Sequence, residues 1–338
     1  MNIQKKYPLK NLNTFGIEVK AQLFVEVKGE EQLQSILADK NFKGIPKFIL
    51  GGGSNILFTR DFPGLVIKNS IPGIEIIREE ENSVLIKAGA GEIWHELVLF
   101  CVERNLGGIE NLSLIPGTVG AAPMQNIGAY GQEIKNVFEG LEGIFIDSGE
   151  KKIFTKDDCN FGYRNSIFKQ ELKNKFVIAS VVLRLSRNPV LKLDYGTVEE
   201  ELDKLSLDKI TVKNVSDVIC KIRQSKLPDP RQIGNAGSFF KNPEISEETF
   251  LSLKKEFSGI IGFPLGNRKV KLAAGWLIEQ CGWKGKRVGN TGSHSKQALV
   301  LVNYGNVKGS EVLQLAQKIK ESVKNKFGIE LEEEINIV

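Results

Sequence analysis

The 338-residue sequence predicts an α+β protein of two or three domains. The chain is long enough for more than one hydrophobic core, and strand and helix signals alternate along it. Its composition is that of an ordinary globular protein, with 41% hydrophobic and 26% charged residues. The formal net charge of +5 is spread along the chain, which argues against a nucleic-acid-binding stripe and suits an anionic small substrate.

The cysteine pattern and the apolar runs indicate a cytoplasmic protein. Four widely spaced cysteines without a C-x-x-C pair are typical of reduced thiols: Cys101, Cys159, Cys220 and Cys281. The first residues have no apolar signal-peptide core, and the apolar runs are too short to span a bilayer. We therefore expect a cytoplasmic monomer without a metal site that binds neither nucleic acid nor membrane.

The first seventy residues predict a small α/β region that ends near Ser70–Gly73. Strands are expected at Leu23–Val27, Phe48–Leu50 and Leu65–Ile67, and a helix at Glu30–Ala38.

Residues 71–226 predict a second α/β region. A helix is expected at Glu92–Arg104, with Ile93, Leu97 and Phe100 on one apolar face. The remaining predicted elements are strands at Glu75–Ile77, Val84–Ala88, Leu141–Asp147 and Phe176–Leu185, followed by an amphipathic segment at Val215–Lys226.

Residues 227–327 predict a third region, and residues 328–338 a strand that returns to the first. Helices are expected at Ser246–Glu256, Val270–Cys281 and Ser310–Phe327, and a strand at His294–Asn303. In the last strand, Ile329, Leu331, Ile335 and Ile337 are expected to share one face, interrupted by Glu333.

A glycine-rich stretch from Ile115 to Gly131 contains no lysine, arginine, aspartate or glutamate. A surface loop normally carries charge, so this stretch is expected to run inside as a shaped backbone surface. It could form a cradle for a flat polar cofactor such as a flavin, or a tight structural crossover.

A second glycine-rich stretch runs from Phe48 to Phe58 and contains three consecutive glycines followed by Ser54 and Asn55. Consecutive free N–H groups in such a loop can bind a phosphate or pyrophosphate, although a hairpin turn is an equal alternative. The loop is neither a P-loop nor the G-x-G-x-x-G fingerprint, because no Gly-Lys-Ser/Thr follows and Ile56 replaces the last glycine.

In the same order, these two stretches resemble the flavin-binding half of the UDP-N-acetylenolpyruvoylglucosamine reductase family, which makes a bacterial cell-wall precursor. The resemblance implies the fold shared with vanillyl-alcohol oxidases (the PCMH type). It comprises two α/β FAD-binding subdomains, at residues 1–70 with 328–338 and at 71–226, and a separate α/β substrate domain at 227–327. It also implies FAD as the bound cofactor and NADPH as the reductant.

The resemblance assigns the cofactor to the two glycine-rich stretches and to the turn before them. The implied FAD-binding residues are Thr14, Gly51, Gly52, Gly53, Ser54, Asn55, Pro116, Gly117, Gly120, Gln125, Asn126, Gly128, Ala129, Tyr130 and Gly131. Neither glycine-rich stretch contains the histidine or cysteine through which related oxidases attach their flavin, so we expect non-covalent FAD.

Three further motifs carry the implied catalytic residues. Gly162-Tyr163-Arg164 matches the motif of the catalytic arginine, whose guanidinium can clamp an enolpyruvyl carboxylate. Lys226 to Pro243 contains Ser238, which the resemblance makes the proton donor and which would otherwise be a turn serine. The C-terminal motif places the catalytic glutamate at Glu334. Because Glu333 stands where relatives often have proline, Glu332 stays an alternative.

The resemblance also implies contacts to the UDP-sugar enolpyruvate and NADPH. Tyr195 matches the tyrosine-bearing type of the family and would close over the substrate diphosphate; otherwise it is a half-buried turn residue. The full implied set is Tyr163, Tyr195, Lys226, Asn242 and Gln297. Two alternatives stay open at this point: an oxidase of the same fold acting on a small alcohol, and a non-catalytic nucleotide-binding regulator.

Overall fold

The computed structural model describes residues 2–338 and divides the chain into two compact units. The first unit contains the residues up to Tyr7, Ala21–Gly52 and Pro63–Ser225. The second contains Pro8–Lys20, Gly53–Phe62 and Lys226–Val338. Residues 8–20 and 53–62 thus pack with the C-terminal region, which the three predicted segments did not anticipate. The subdivision of the first 226 residues into two FAD-binding subdomains stays a prediction.

The structure contains both short and long regular elements, numbered here in chain order. The strands are β1 Gln4–Pro8, β2 Lys20–Val27, β3 Lys47–Leu50, β4 Ile56–Leu57, β5 Phe62–Asn69, β6 Ile74–Glu79, β7 Ser83–Gly89, β8 Gly128–Ala129, β9 Gln132–Glu133, β10 Phe138–Phe145, β11 Lys151–Thr155, β12 Phe176–Ser186, β13 Gly234–Ser238, β14 Glu244–Ser246, β15 Gly262–Gly266, β16 Lys269–Leu272, β17 Arg287–Val288, β18 Thr291–Ser293, β19 Val300–Asn303 and β20 Asn336–Ile337. The α-helices are α1 Glu30–Ala38, α2 Trp94–Glu103, α3 Thr197–Asp203, α4 Val212–Lys226, α5 Glu247–Glu256, α6 Ala274–Gln280 and α7 Gly309–Phe327.

Two sheets and a two-stranded hairpin form the first unit. One sheet has the order β1-β2-β5-β3, and its β3–β5 pair is parallel, with Leu50 opposite Lys68. The other has the order β11-β10-β12-β7-β6 and is antiparallel at each of its four pairs. Helix α2 packs its buried Trp94, Leu97 and Cys101 into the hydrophobic core on this larger sheet. Val119 of the Ile115–Gly131 stretch lies in the same core, so this stretch packs against the larger sheet.

The second unit is built around the sheet β13-β19-β18-β17. Helix α7 buries Val312, Ala316, Ile319 and Val323, the stripe that its sequence periodicity predicts. A separate sheet has the order β14-β16-β15, and β20 pairs with β4 in parallel, so that Asn336 lies opposite Ile56.

Four sequence predictions of local structure differ from the structure. The predicted helix at Val270–Cys281 is strand β16 followed by the shorter α6, because Lys269-Val-Lys-Leu272 alternates polar and apolar residues and buries only one side. The strand predicted from His294 begins only at Val300, since the residues before it form a turn.

The other two differences concern which residues are buried. Ile93 is the N-cap of α2 and 56% exposed, so Trp94 and Cys101 occupy the buried face in its place. In the C-terminal strand Ile329, Leu331 and Ile335 are buried, but Ile337 is 41% exposed even though it pairs with Leu57 of β4.

All four cysteines are free. Burial raises the pKa of the Cys101 and Cys159 thiols to about 12. Within residues 2–338, no helix combines the length and the apolar character that a bilayer crossing requires.

Candidate functional site

In the first unit, the two glycine-rich stretches lie against each other. A β-carbon built on Gly52 would lie 2.8 Å from Cα of Gly117, and one built on Gly51 would lie 2.7 Å from Oγ1 of Thr118. The contact at Gly52 is with backbone and is too short for a side chain, so that position requires glycine; at Gly51 the Thr118 side chain would have to move. This close backbone approach joins the triple-glycine loop to the start of the Ile115–Gly131 stretch.

A neighbouring segment fixes the conformation of the Ile115–Gly131 stretch through backbone hydrogen bonds. Trp94 N donates to the Gly117 carbonyl at 3.0 Å, and Val119 N donates to the Glu92 carbonyl at 2.9 Å. These bonds hold a stretch that has little regular structure of its own. Its exposed polar groups are thus set before any ligand arrives, which lowers the entropic cost of binding.

Two side chains near Gly51 fit an anionic group. Thr118 is 6% exposed, and its hydroxyl has no hydrogen-bond partner among residues 2–338. Lys68 donates from Nζ to the Gly51 carbonyl. Burial lowers the pKa of the Lys68 ammonium, and the nearby Glu26 carboxylate opposes that shift. Close backbones, an unpaired hydroxyl and a desolvated ammonium fit the diphosphate of FAD.

The second half of the stretch is tied to the Gly-Tyr-Arg motif. The fully buried Asn126 donates from Nδ2 to the Gly162 carbonyl at 2.9 Å and to Oε2 of Glu133 at 3.0 Å. The Asn126 amide therefore holds the motif in place, and its direct contact with a flavin stays a prediction.

Arg164 occupies a rare backbone conformation. Its φ of 48° lies in the left-handed region, which residues other than glycine seldom adopt. Nη2 donates to the Gly128 carbonyl at 2.7 Å, and the guanidinium lies 5.5 Å from the centre of the Tyr163 ring. The guanidinium has five donors in a fixed fork, so this anchored arrangement is suited to bidentate binding of a carboxylate.

Sequence reasoning missed Arg223, which extends this cationic region. Its Nε donates to the Leu114 carbonyl at 3.3 Å, and its guanidinium also hydrogen-bonds to the Tyr130 phenol. Burial lowers the pKa of the Arg223 guanidinium and raises the pKa of the Tyr130 phenol. The two groups that Arg223 contacts, the Leu114 carbonyl and the Tyr130 phenol, are therefore both neutral. Tyr195 packs edge-on against Tyr130, with 5.7 Å between ring centres. The only feature of the sequence that could have identified Arg223 was its position on the buried face of α4.

In the second unit, the predicted opening turn contacts the last glycine of the loop. Thr14 donates to the Gly53 carbonyl from its amide at 3.0 Å and from Oγ1 at 3.3 Å. Gly53 has φ of 66°, and a β-carbon there would lie 2.0 Å from the Leu12 carbonyl oxygen. Asn235 N donates to the Thr14 carbonyl at 3.0 Å, which links this turn to β13. Ser54 and Asn55 continue the loop in the same unit.

Ser238 ends β13 next to the segment that carries Glu334. Phe239 and Phe240, each 1% exposed, anchor the backbone after the serine. Glu334 N donates to the Phe239 carbonyl at 2.8 Å, and the Glu334 carbonyl accepts from Nδ2 of Asn55 at 3.4 Å. The structure thus brings together the predicted proton donor, the predicted glutamate and the asparagine of the glycine loop.

The three consecutive glutamates have different surroundings. Glu332 forms an ion pair with Lys241 and its side chain is 72% exposed. Glu333 forms an ion pair with Lys320 at 2.8 Å. Glu334 is half-buried and lies next to the Ser238 segment. The exposure of Glu332 favours Glu334 as the site residue.

In the second unit, Asn242 and Gln297, two of the predicted diphosphate contacts, each accept a backbone hydrogen bond through the side-chain amide oxygen. Asn242 Oδ1 accepts from Ala274 N at 3.0 Å, and Gln297 Oε1 accepts from Leu299 N at 3.4 Å. The amide NH2 groups supply the donors that an anion needs. Lys226 is exposed at the end of α4.

His95 is a second residue that sequence reasoning did not place in the site. Its Nδ1 accepts from Leu114 N at 3.0 Å, just before the glycine-rich stretch, and Leu114 has φ of 56°. Burial, followed by the neighbouring Arg223, lowers the pKa of His95, although Glu96 acts in the opposite direction. A neutral imidazole is required, because protonated Nδ1 could not accept the Leu114 N–H.

We expect this histidine to make the protein less stable in mild acid. The unfolded chain takes up the proton near pH 6.5, before the folded protein does, so stability falls as the pH drops below about 6.5. His294 has a lowered pKa for the same main reason and adds in the same direction. Urea midpoints between pH 7 and 5 should fall less for His95→Asn, which keeps an acceptor near Nδ1 without titrating. This account would be contradicted if the urea midpoint of His95→Asn depended on pH as strongly as that of the wild type. His294→Asn is the parallel variant.

Comparison with known proteins places these features in one family. Residues 21–151 match the profile of an FAD-binding domain, and residues 229–338 match the C-terminal domain of UDP-N-acetylenolpyruvoylglucosamine reductase. The reductase of that name from Flavobacterium johnsoniae is 49% identical over 339 residues, covering 100% of both chains. The chain belongs to the UDP-N-acetylenolpyruvoylglucosamine reductase family. The family's Pseudomonas aeruginosa member is 47% identical over 337 residues, covering 100% of this chain and 99% of that one.

A solved member of the reductase family shows the same fold. The crystal structure of the Thermus caldophilus reductase superposes with a TM-score of 0.68 at 24% identity, covering 100% of this chain and 99% of that one. The fold expected from the sequence is thereby confirmed. With its FAD-binding domain, this member of the reductase family is an FAD-dependent oxidoreductase.

Proposed function

We propose that the protein catalyses the NADPH-dependent reduction of UDP-N-acetylglucosamine enolpyruvate to UDP-N-acetylmuramate, a step in peptidoglycan precursor synthesis. Given that the chain belongs to this family, one backbone hydrogen bond supports the proposal most directly. The proposal is supported by the bond from Glu334 N to the Phe239 carbonyl, through which the segment of the proposed glutamate runs beside that of the proposed proton donor Ser238. A non-catalytic nucleotide-binding regulator would have no need for these residues together with Arg164.

The cofactor is assigned to the chain's own backbone and to a few side chains. Gly51, Gly52 and Thr118 are proposed to hold the diphosphate, and Gly117 to Gly131 to line the flavin ring. When bound, FAD supplies the hydride chemistry, while the protein supplies position and electrostatics.

The proposed catalytic residues act on the enolpyruvyl group. Reduction at the terminal methylene carbon develops negative charge on the carboxylate, and Arg164 clamps this carboxylate bidentately. Glu334 acts on the same charge, which requires its carboxyl group to carry a proton in that state. Ser238 then delivers a proton to the adjacent carbon and completes the lactyl ether.

The substrate diphosphate is assigned to side chains that can donate a hydrogen bond: an ammonium group, two amides and a phenol. Lys226, Asn242, Gln297 and Tyr195 are the proposed contacts, and Tyr163 supports Arg164. Arg223 joins this set because a buried guanidinium with neutral partners favours an incoming anion.

Tyr195→Phe should raise the KM for the UDP-sugar several-fold and leave kcat nearly unchanged. The phenol is 50% exposed, so it can reach a ligand, and loss of one uniform binding contact costs about 1 kcal/mol. Steady-state kinetics would measure both constants. Tyr304→Phe is the matched control, since Tyr304 is 38% exposed and stacks on Arg287. A collapsed kcat with an unchanged KM would assign Tyr195 a different role.

A visible spectrum of the purified protein tests the proposed function. We expect a yellow protein whose flavin is bleached by NADPH, regains its colour with the enolpyruvyl substrate in the absence of oxygen, and is released by acid. A protein that takes up no FAD would contradict the cofactor assignment. Flavin that stays with the acid precipitate and is reduced by a small alcohol would favour the oxidase alternative. Cytoplasmic location and a monomeric state stay predictions.

A further inference from the structure

Asn111 joins two segments of the first unit that lie far apart in the sequence. Its side chain is buried, with 1% exposure, and Nδ2 donates to the Tyr130 carbonyl and to the Lys192 carbonyl, each at 2.9 Å. Tyr130 lies at the end of the Ile115–Gly131 stretch. Lys192 begins the Tyr195 segment, defined here as residues 192–195. One buried amide group therefore ties the Tyr195 segment to the end of the stretch that is proposed to line the flavin.

The hydrogen bonds of Asn111 require an amide group. An amide NH2 has two N–H donors, and both acceptors here are backbone carbonyls. A carboxylate in the same place has no donor and would repel both carbonyl oxygens. Aspartate therefore has nearly the same shape as Asn111 and breaks both bonds.

The Lys192 side chain makes a second connection between the same two segments. Its Nζ donates to the Gly131 carbonyl at 3.2 Å and to Oε1 of Gln132 at 2.8 Å. The carbonyl of Lys192 is thus bonded to Asn111, while its side chain is bonded to the residues that follow Tyr130. Because Lys192 is exposed, replacing its side chain removes these bonds without disturbing a hydrophobic core.

The ring of Tyr195 lies beside these connections. It packs edge-on against Tyr130, and its Cδ2 lies 4.0 Å from where a β-carbon on Gly131 would lie. Half of the Tyr195 surface is exposed, so the ring has few contacts of its own to fix its position. The position of the phenol therefore depends on how the Tyr195 segment is attached.

We propose that Asn111 is a positioning residue that, together with Lys192, holds the Tyr195 segment where its phenol meets the substrate diphosphate. The proposal rests on the proposed function, in which Tyr195 contacts that diphosphate. A segment that is attached in advance loses less conformational entropy when it closes over a ligand. Loss of either connection should therefore weaken substrate binding and leave the chemical step unchanged.

Steady-state kinetics of Asn111→Asp and Lys192→Met test this role. Each variant should raise the KM for the UDP-sugar about 3- to 30-fold, as expected for loss of one or two hydrogen bonds, with kcat within about twofold of the wild type. In a Tyr195→Phe background, either change should add less than about twofold, because the phenol contact is already absent. Effects that multiply in the double variants would show that these residues act independently of Tyr195 and would overturn the proposal.

Limited trypsin digestion tests the attachment without any substrate. In the Asn111→Asp holoenzyme, cleavage after Lys192 should accelerate about 5- to 30-fold, because the cleavage rate follows the population of the detached segment. Unchanged cleavage would refute the attachment and with it the proposal. Faster cleavage in an enzyme whose wild type does not reduce the enolpyruvyl substrate would support the attachment and refute only the proposed function.

Asn69→Asp is the matched control for the buried amide, because Asn69 is 5% exposed and its Nδ2 donates to the Ile178 carbonyl at 2.8 Å. This variant should lower the urea midpoint but leave the KM and the cleavage after Lys192 unchanged. Lys213→Met is the control for the lysine, since the exposed Lys213 pairs with Asp217 at 2.9 Å. If either control raised the KM as much as Asn111→Asp does, the KM would report a general loss of stability, and the proposal would fail.

Discussion

Ser238→Ala is expected to separate the two half-reactions of the enzyme. Flavin reduction by NADPH needs no proton from Ser238, so it should proceed at close to the wild-type rate. Reoxidation by the enolpyruvyl substrate should slow by roughly 10²- to 10⁴-fold, the usual contribution of a positioned general acid. Stopped-flow absorbance of the flavin would measure each half-reaction separately.

The position of Ser238 makes this variant a clean test. The serine ends β13 opposite Val300, and Gly237 before it has φ of 71° with no atom within 4 Å of where a β-carbon would lie. Alanine keeps the backbone and removes only the hydroxyl. Ser238→Cys should recover part of the rate, because a thiol can donate from nearly the same place. Equal slowing of both half-reactions would show that Ser238 shapes the flavin site, and no slowing would make it an ordinary turn serine.

Gly53→Ala should cause the largest loss of stability among single-methyl additions near the glycine loop. Its φ of 66° disfavours any β-carbon by about 1–2 kcal/mol. That carbon would also lie 2.0 Å from the Leu12 carbonyl oxygen and 2.9 Å from its carbon, so the backbone must move. Overpacking of this kind costs about 1–3 kcal/mol more. Urea denaturation of the apoprotein should therefore show a loss of about 2–5 kcal/mol in unfolding free energy.

Gly44→Ala separates the conformational cost from the steric one. Gly44 has φ of 77°, and no atom lies within 4 Å of its would-be β-carbon. Only the left-handed conformation is then penalised, so the loss should be about 1–2 kcal/mol. Equal losses of unfolding free energy in the two variants would mean that the turn at Leu12 can move without cost. The contact between this turn and the glycine loop would then not constrain the site.

Local sequence pattern predicts the long helices well and the short elements poorly. Helix α1 has the predicted bounds, because acidic residues begin it and Leu33, Ile36 and Leu37 recur on one face. Val270–Cys281 was misassigned as one helix, because a four-residue strand and a seven-residue helix are each too short to show a clear period. Ile337 was predicted to be buried because alternation puts it on the face of Ile335, but alternation does not show whether another element covers that face.

For the site, the motifs supplied the positions that are proposed to act directly, namely Arg164, Ser238 and Glu334. The structure added Arg223 and His95, which lie outside the motifs, and Thr118, which lies inside the Ile115–Gly131 stretch but was not singled out there. The importance of Thr118 depends on a contact with Gly51, sixty-seven residues earlier in the chain, which no single-sequence pattern encodes. His95 and Arg223 matter because they hold the amide and carbonyl of Leu114, again through distant pairing.

The pairing of β20 with β4 has a consequence for synthesis on the ribosome. Thr59 bonds to the Val338 carbonyl through its amide at 2.7 Å and its hydroxyl at 2.9 Å, and Asn336 N bonds to the Asn55 carbonyl at 3.0 Å. Residues 53–62 are translated early but cannot form these bonds until residues 336–338 emerge. For most of translation, Asn55 and Thr59 therefore lack these C-terminal partners. If this loop binds the cofactor as proposed, we expect a chain that terminates before residue 336 to bind FAD more weakly than the full chain.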